Sequence, residues 1–170
     1  YELFFDNCRV PADNLLGAQG SGLRQTLSTI NTGRILIGAL ALGILQGSLE
    51  RSTAYVKDRS QFGKPISSFQ ALQFKLADMA VHTHAARLML YQAAALKDEG
   101  KPFDQEASMA KLFATERAME AAHQAIQIHG GYGIMSEYPV SRAFGDAKVL
   151  EIVEGTSEIQ RMIISRALLN

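Results

Sequence analysis

Apolar positions recur at three- and four-residue steps along most of this chain. Leu23, Leu27, Ile30, Ile37, Leu40, Ile44, Leu45 and Leu49 mark one long helix from Leu23 to about Arg59. Phe69, Leu72, Phe74, Leu76, Met79, Ala80, Leu88 and Leu90 carry a second to about Leu96, with Ser67 or Ser68 as its cap. Asp104 caps a third, on which Ala107, Ala110, Leu112, Phe113, Ala118, Ala122, Ile126 and Ile128 form an apolar face ending at Gly130-Gly131. A short helix near Ser141 to Val149 and a final one from Ser157 to Leu168 complete the set. Glycine and proline punctuate the joints at Gly63-Lys64-Pro65, at Gly100-Lys101-Pro102 and between Gly133 and Pro139. Ahead of these helices, Glu2 to Pro11 reads as a strand or extended arm ending at a proline. The pattern predicts an all-α fold: an antiparallel, up-and-down four-helix-type bundle over residues 21–170, preceded by a short extended arm over residues 1–20.

Glycines modify that picture. Gly33, Gly38, Gly43 and Gly47 all fall inside the first helix, where each costs about 1 kcal/mol against alanine. Their number predicts close backbone approach, to another helix or to a ligand.

Composition narrows the partners. Apolar residues make up 47% of the chain, and 17 basic side chains balance 17 acidic ones, so neither nucleic acid nor an acidic surface is indicated. No unbroken apolar run of about 18 residues occurs, since Ile35 to Leu49 is interrupted by glycines and Gln46, and no membrane span is expected. The single cysteine, Cys8, excludes an internal disulfide framework and reads as a small buried residue in a reducing compartment. The chain opens on Tyr1 without a charged-then-apolar leader, which suggests a piece of a longer protein.

One stretch carries candidate chemistry. In Ile152-Val153-Glu154-Gly155-Thr156-Ser157-Glu158-Ile159-Gln160, Ser157 is an N-cap candidate and Gln160 completes a capping box, which leaves Glu154 in an irregular turn just outside the helix. Gly155 frees the backbone beside it, so the carboxylate can point into a cleft as a base. An acid placed near a helix dipole for stability alone explains the same spacing. Glu120 and His123 make one Glu-x-x-His step, but a di-iron bundle needs two such steps and further glutamates, so no metal site is expected. A non-catalytic helical oligomerisation module is the remaining alternative.

Four motifs in order then carry a resemblance: Arg59-Ser60-Gln61-Phe62-Gly63-Lys64-Pro65, Phe69-Gln70, Gln127-Ile128-His129-Gly130-Gly131-Tyr132-Gly133, and Glu154-Gly155-Thr156-Ser157-Glu158-Ile159-Gln160. Together they resemble the C-terminal domain of the acyl-CoA dehydrogenase family, and Gln73 to Ala80 and Ala107 to Leu112 are closest to its short-chain, butyryl-CoA branch. Phe5 to Pro11 resembles the end of that family's middle β-domain, the rest of which has no counterpart here.

The resemblance implies an FAD-dependent oxidoreductase that converts acyl-CoA to trans-2-enoyl-CoA and passes electrons to an electron-transfer flavoprotein. By residue-to-residue match it makes Glu154 the base for the α-proton, and assigns FAD contacts to Arg59, Phe62, Gln70, Gln127, Gly131, Thr156 and Glu158. Arg34 and Gly155 match positions beside the acyl-CoA. Some family branches carry the base at the position of Gly33, where glycine cannot serve. The resemblance further implies a homotetramer built as a dimer of dimers, in which Arg59 and Gln127 reach a neighbour's FAD. It places the enzyme in the cytoplasm of a bacterium or the mitochondrial matrix of a eukaryote. Val153, Gly145 and Asn31 depart from the family's frequent tyrosine, arginine and aspartate.

Overall fold

The computed structural model describes residues 1–169, and among them five α-helices dominate. Helix α1 (Gly22–Asp58) runs into a hairpin of two very short strands, β1 (Ser60–Gln61) and β2 (Lys64–Pro65). Helices α2 (Gln70–Asp98) and α3 (Asp104–His129) follow, joined by residues 99–103, too short a link for anything but antiparallel neighbours. After a 3-10 turn at Gly130–Ile134 come α4 (Val140–Ile152) and α5 (Ser157–Leu169). This is the expected all-α bundle.

Helix α3 is its axis, packing against α1, α2, α4 and α5. Its alanines explain why: Ala107, Ala110, Ala114, Ala118, Ala121, Ala122 and Ala125 are all buried, and so small a side chain lets neighbouring backbones approach closely while keeping full helix propensity. The facing residues are larger, among them Leu45 and Val56 of α1, Met79 and Leu90 of α2, and Leu150 of α4. Small against large fills the space without voids.

Several local expectations are corrected. Of the two readings for residues 1–11, strand or arm, no strand forms and the segment is an exposed arm; Cys8 on it, expected to be buried, is exposed because no core reaches it. Neither Ser67 nor Ser68 caps α2; Phe69 precedes the helix, while Ser68 Oγ donates to the Pro65 carbonyl at 2.8 Å. Asp104 does not cap α3 either: it is the first helical residue, and its carboxylate accepts from Asn31 Nδ2 across on α1. By length and composition α1 could cross a bilayer, contrary to expectation, since its glycines and hydroxyls do not lower its apolar character enough. In the bundle it buries Arg34, Ser48 and Ser52. Leu23, Leu27 and Leu40, expected on its core face, are exposed in this chain.

The glycines divide by cause. A Cβ on Gly38 would sit 2.5 Å from Leu90 Cδ2, so close helix packing accounts for it, whereas Gly43 and Gly47 have open space where a Cβ would go. On Gly133 a Cβ would meet the Ile126 carbonyl oxygen at 2.5 Å and Ile126 Cα at 2.9 Å. Backbone cannot yield as a leucine tip can. Gly133→Ala is therefore expected to destabilise the protein by about 1–3 kcal/mol, and Gly38→Ala by less, because Leu90 can rotate and alanine favours the helix. Urea unfolding of the two variants checks the order.

One core residue is ionisable. Lys111 of α3 is fully buried, and that burial holds its ammonium down at about 8; Glu151, Glu158 and Glu116 oppose the shift and Arg34 adds to it. In the unfolded chain a lysine titrates near its ordinary value of 10.5, so between that value and about 8 the unfolded state binds more protons. Stability from this group therefore rises with pH across that window, and below it the burial cost is fully present. Relative to Lys111→Met, the wild type is expected to gain stability on going from about pH 7.5 to about pH 10, as read by denaturant unfolding at both values.

Candidate active site

The sequence-predicted site residues fall into two groups at opposite ends of α1. About 25 residues of helix separate Gly33 from Asp58, a length of about 38 Å at the usual rise.

At the first end, Glu154 sits in the turn between α4 and α5. Its backbone is left-handed, with φ of 55°, and Gly155 follows at 93°. The left-handed region is costly for a residue with a Cβ, so surrounding contacts must enforce it. They do so through two buried donors. Gln160 Nε2 of α5 donates to the carbonyls of Glu154 at 3.2 Å and Gly155 at 2.8 Å. Lys111 Nζ of α3 donates to the carbonyls of Glu151 at 3.2 Å and Gly155 at 2.9 Å.

The capping box is thus corrected. Thr156, not Ser157, precedes the helix, its carbonyl taking the first helical bond from Gln160 N at 3.0 Å and its hydroxyl facing Ile159 N at 3.5 Å. Ser157 is the first residue of α5, and its buried hydroxyl has no partner among the described residues. Gln160 is spent on the turn instead of on a cap. Glu158 is exposed, and the Thr156 hydroxyl, ahead of backbone and charge effects, holds its carboxyl below the usual range.

The Glu154 carboxylate lies against α1. A Cβ on Gly33 would stand 2.6 Å from its Oε2, so only glycine leaves room there for the acid. Glu154 and Gly33 line an open depression of about 640 Å³ with Thr26, Thr29, Ile30 and Leu36. One residue on, Arg34 is buried, and Nη1 donates to Asn31 Oδ1 at 2.5 Å, while Asn31 in turn donates to Asp104. Burial lowers the guanidinium's pKa; Asp104 and Glu154 offset part of that. A carboxylate on an apolar-and-hydroxyl wall can accept a proton from a group seated in the depression, with the buried Arg34 charge acting on it at longer range.

At the second end, Arg59 and Gly131 line a cleft of about 510 Å³ with Tyr55, His129, Gly130 and Tyr132. The Arg59 guanidinium carbon lies 5.9 Å from the centre of the Tyr132 ring, and Tyr55 stacks on His129 at 4.2 Å. His129 Nδ1 donates to the Ala125 carbonyl at 2.7 Å, and burial lowers the ring's pKa, partly offset by that hydrogen bond. Gln127, Phe62 and Gln70 are exposed nearby but do not line the cleft; Phe62 packs edge-on to Phe69 at 6.1 Å. Glu120 and His123 do not converge: Glu120 pairs with Arg117 at 2.5 Å, while the His123 ring lies beside Phe144.

Reading the sequence missed Lys111, Tyr55 and His129. Lys111 had a signal, because it falls on the alanine stripe of α3 between Ala107 and Ala114, where a charge needs a reason.

Comparisons with known proteins give the family. Residues 20–169 match the family model described as acyl-CoA dehydrogenase, C-terminal domain. An acyl-CoA dehydrogenase of Bacillus subtilis is 53% identical over 168 residues, covering 99% of this chain and 44% of that protein. The mitochondrial short-chain specific acyl-CoA dehydrogenase of Mus musculus is 50% identical over 167 residues, covering 98% and 40%. The solved structure of butyryl-CoA dehydrogenase from Megasphaera elsdenii superposes with a TM-score of 0.96 at 47% identity, covering 98% of this chain and 43% of that one. The chain thus spans less than half the length of these relatives, and over that span it belongs to the acyl-CoA dehydrogenase family as a C-terminal domain.

Proposed function

We propose that the chain is the base-bearing helical part of an enzyme that oxidises acyl-CoA thioesters, of short-chain type, to trans-2-enoyl-CoA. The observation that carries this reading is Glu154 held in a left-handed turn with its carboxylate against Gly33, at the wall of a depression with apolar and hydroxyl surface. The α-carbon of a thioester is a weak acid, so its base must be fixed in line with the C–H bond. The turn supplies that fixing. Ile30 and Leu36 offer the acyl chain apolar contact, and Arg34 and Gly155, each next in sequence to a residue of that wall, would serve the thioester end in this reading.

The residues present fit FAD. Exposed Arg59 can make charge-assisted bonds to a pyrophosphate, and the Gly130-Gly131 pair has open space in place of side chains. Tyr55, His129 and Tyr132 give planar surfaces for an aromatic base. Phe62, Gln70 and Gln127 border the same end, with Thr156 and Glu158 at the flavin end beside Glu154. When bound, the flavin supplies the two-electron acceptor for the β-hydrogen, and an electron-transfer flavoprotein is the onward acceptor. Residues 1–20 continue a β-domain in this reading.

The separation of the two ends also favours a shared site. Arg59 and Glu154 line separate clefts, which suits a dimer of dimers in which Arg59 and Gln127 serve the FAD of a neighbouring subunit.

In a full-length protein, Glu154→Gln is expected to keep the flavin and lose its bleaching by butyryl-CoA; a rate within about tenfold of wild type, roughly 1.4 kcal/mol of barrier, identifies another base. Gly33→Ala is expected to fold normally and slow bleaching about a hundredfold, because the new methyl displaces the carboxylate by roughly an ångström. Co-expression tests the sharing. Mixed dimers of Glu154→Gln with Arg59→Ala chains are expected to recover up to about half of the wild-type activity, since one site per dimer regains both residues; purified mixed dimers as dead as their parents exclude it.

A further inference from the structure

Lys111 is used by nothing in the mechanism above, yet its place in the fold is costly. Its side chain is fully buried on the alanine stripe of the central helix, where an apolar residue would pack without desolvating a charge. Its charged surroundings do not explain it. Arg34 from α1 repels it, while Glu151 from α4, Glu158 from α5 and Glu116 from its own helix attract it, and burial still wins, holding the amine at about 8.

What Lys111 does make is a pair of hydrogen bonds that straddle one residue. Nζ donates to the Glu151 carbonyl, in the last turn of α4, at 3.2 Å and to the Gly155 carbonyl at 2.9 Å. Glu154 lies between those two gripped points, in a left-handed conformation that its own side chain disfavours. Gln160 grips the same Gly155 oxygen from the other side at 2.8 Å, so both lone pairs of that oxygen are used. The turn is therefore clamped from α3 and α5 together. An ammonium has three N–H bonds and a neutral amine two, so both protonation states can satisfy the two carbonyls.

We propose that Lys111 is a positioning residue for the base: by pinning the carbonyls on either side of Glu154 it fixes the backbone that aims the carboxylate over Gly33. This rests on reading Glu154 as the base. Lys111 touches neither substrate nor cofactor, and it acts only through the turn.

The test uses full-length holoenzyme and single-turnover bleaching of its flavin by butyryl-CoA, in wild type, Lys111→Met, Glu154→Gln and the double variant. Lys111→Met is expected to keep its flavin and to bind butyryl-CoA within about threefold of wild type, while the bleaching rate at saturation falls about a hundredfold. The double variant is expected to be no slower than Glu154→Gln alone, because a residue that works through the base has nothing left to aim. Lys111→Arg, which keeps donors, is expected to recover part of the rate. A Lys111→Met rate within threefold of wild type, or a loss that multiplies on top of Glu154→Gln, overturns the proposal. Should Lys111→Met fail to fold, a crystal structure of the wild-type holoenzyme decides: Nζ bonded to both carbonyls upholds the clamp, and Nζ beyond about 3.5 Å from both removes it. A wild type that no acyl-CoA bleaches counts instead against the dehydrogenase reading itself.

Discussion

The structure turns on a backbone conformation that its own residue resists. Glu154 needs φ of 55° to leave the end of α4 and enter α5 with its carboxylate turned toward α1. Left alone, a glutamate would relax toward the helical or extended region, and a relaxed turn would swing the acid away. Three helices prevent it: α3 and α5 supply the donors that hold the flanking carbonyls, and α1 supplies, at Gly33, a side-chain-free patch on which the carboxylate can rest. Bundle packing and site geometry are therefore one problem. If α3 shifted along its alanine seam, Nζ of Lys111 would move with it.

The same dependence explains why α3 is so rich in alanine. A central helix touching four others must bring all of them within reach of short hydrogen bonds, and bulky residues would hold them off. Apolar bulk is delegated to the surrounding helices, as Leu45, Met79, Leu90 and Leu150 show. Within that apolar seam a lone amine is conspicuous energetically, and it satisfies the Glu151 carbonyl at the end of α4 while sharing the Gly155 carbonyl with Gln160. The polar contact and the apolar seam each make the other tolerable.

Much of the fold was legible because helical periodicity is strong over long segments: the five helices sit within a few residues of their predicted bounds. Caps were less so. Ser67, Asp104 and Ser157 have the right chemistry at the right spacing, yet Phe69, Phe103 and Thr156 hold the positions ahead of those helices, because the hydroxyls and carboxylate found other partners or none. Arg59 and Gly131 could be paired only by resemblance; spacing alone cannot show that the end of α1 meets the end of α3. Gln160 looked like a cap and proved to be a clamp, since sequence separation says nothing about which carbonyls a turn will present. The two-residue strands were invisible for lack of any alternation to detect.

Asn31, a departure from the family's usual aspartate, becomes intelligible in this setting. Its amide donates to Asp104 and its oxygen accepts from Arg34, so one neutral side chain links an acid to a base that borders Glu154. An aspartate there would lose the donor and set two carboxylates against each other across α1 and α3, a like-charge contact that disfavours ionising both. It would also hold Arg34 more tightly on its own. With asparagine, Arg34 keeps electrostatic access to Glu154 as well as to Asp104. The polar chain from Asp104 through Asn31 to Arg34 thus sets a buried positive charge within electrostatic range of Glu154 on the α1 side, while Lys111 grips the carbonyls of the turn from α3. Charge acts on the Glu154 side chain from α1, whereas hydrogen bonds from α3 and α5 hold the carbonyls around it, so the strain of the turn falls on the main-chain clamp alone.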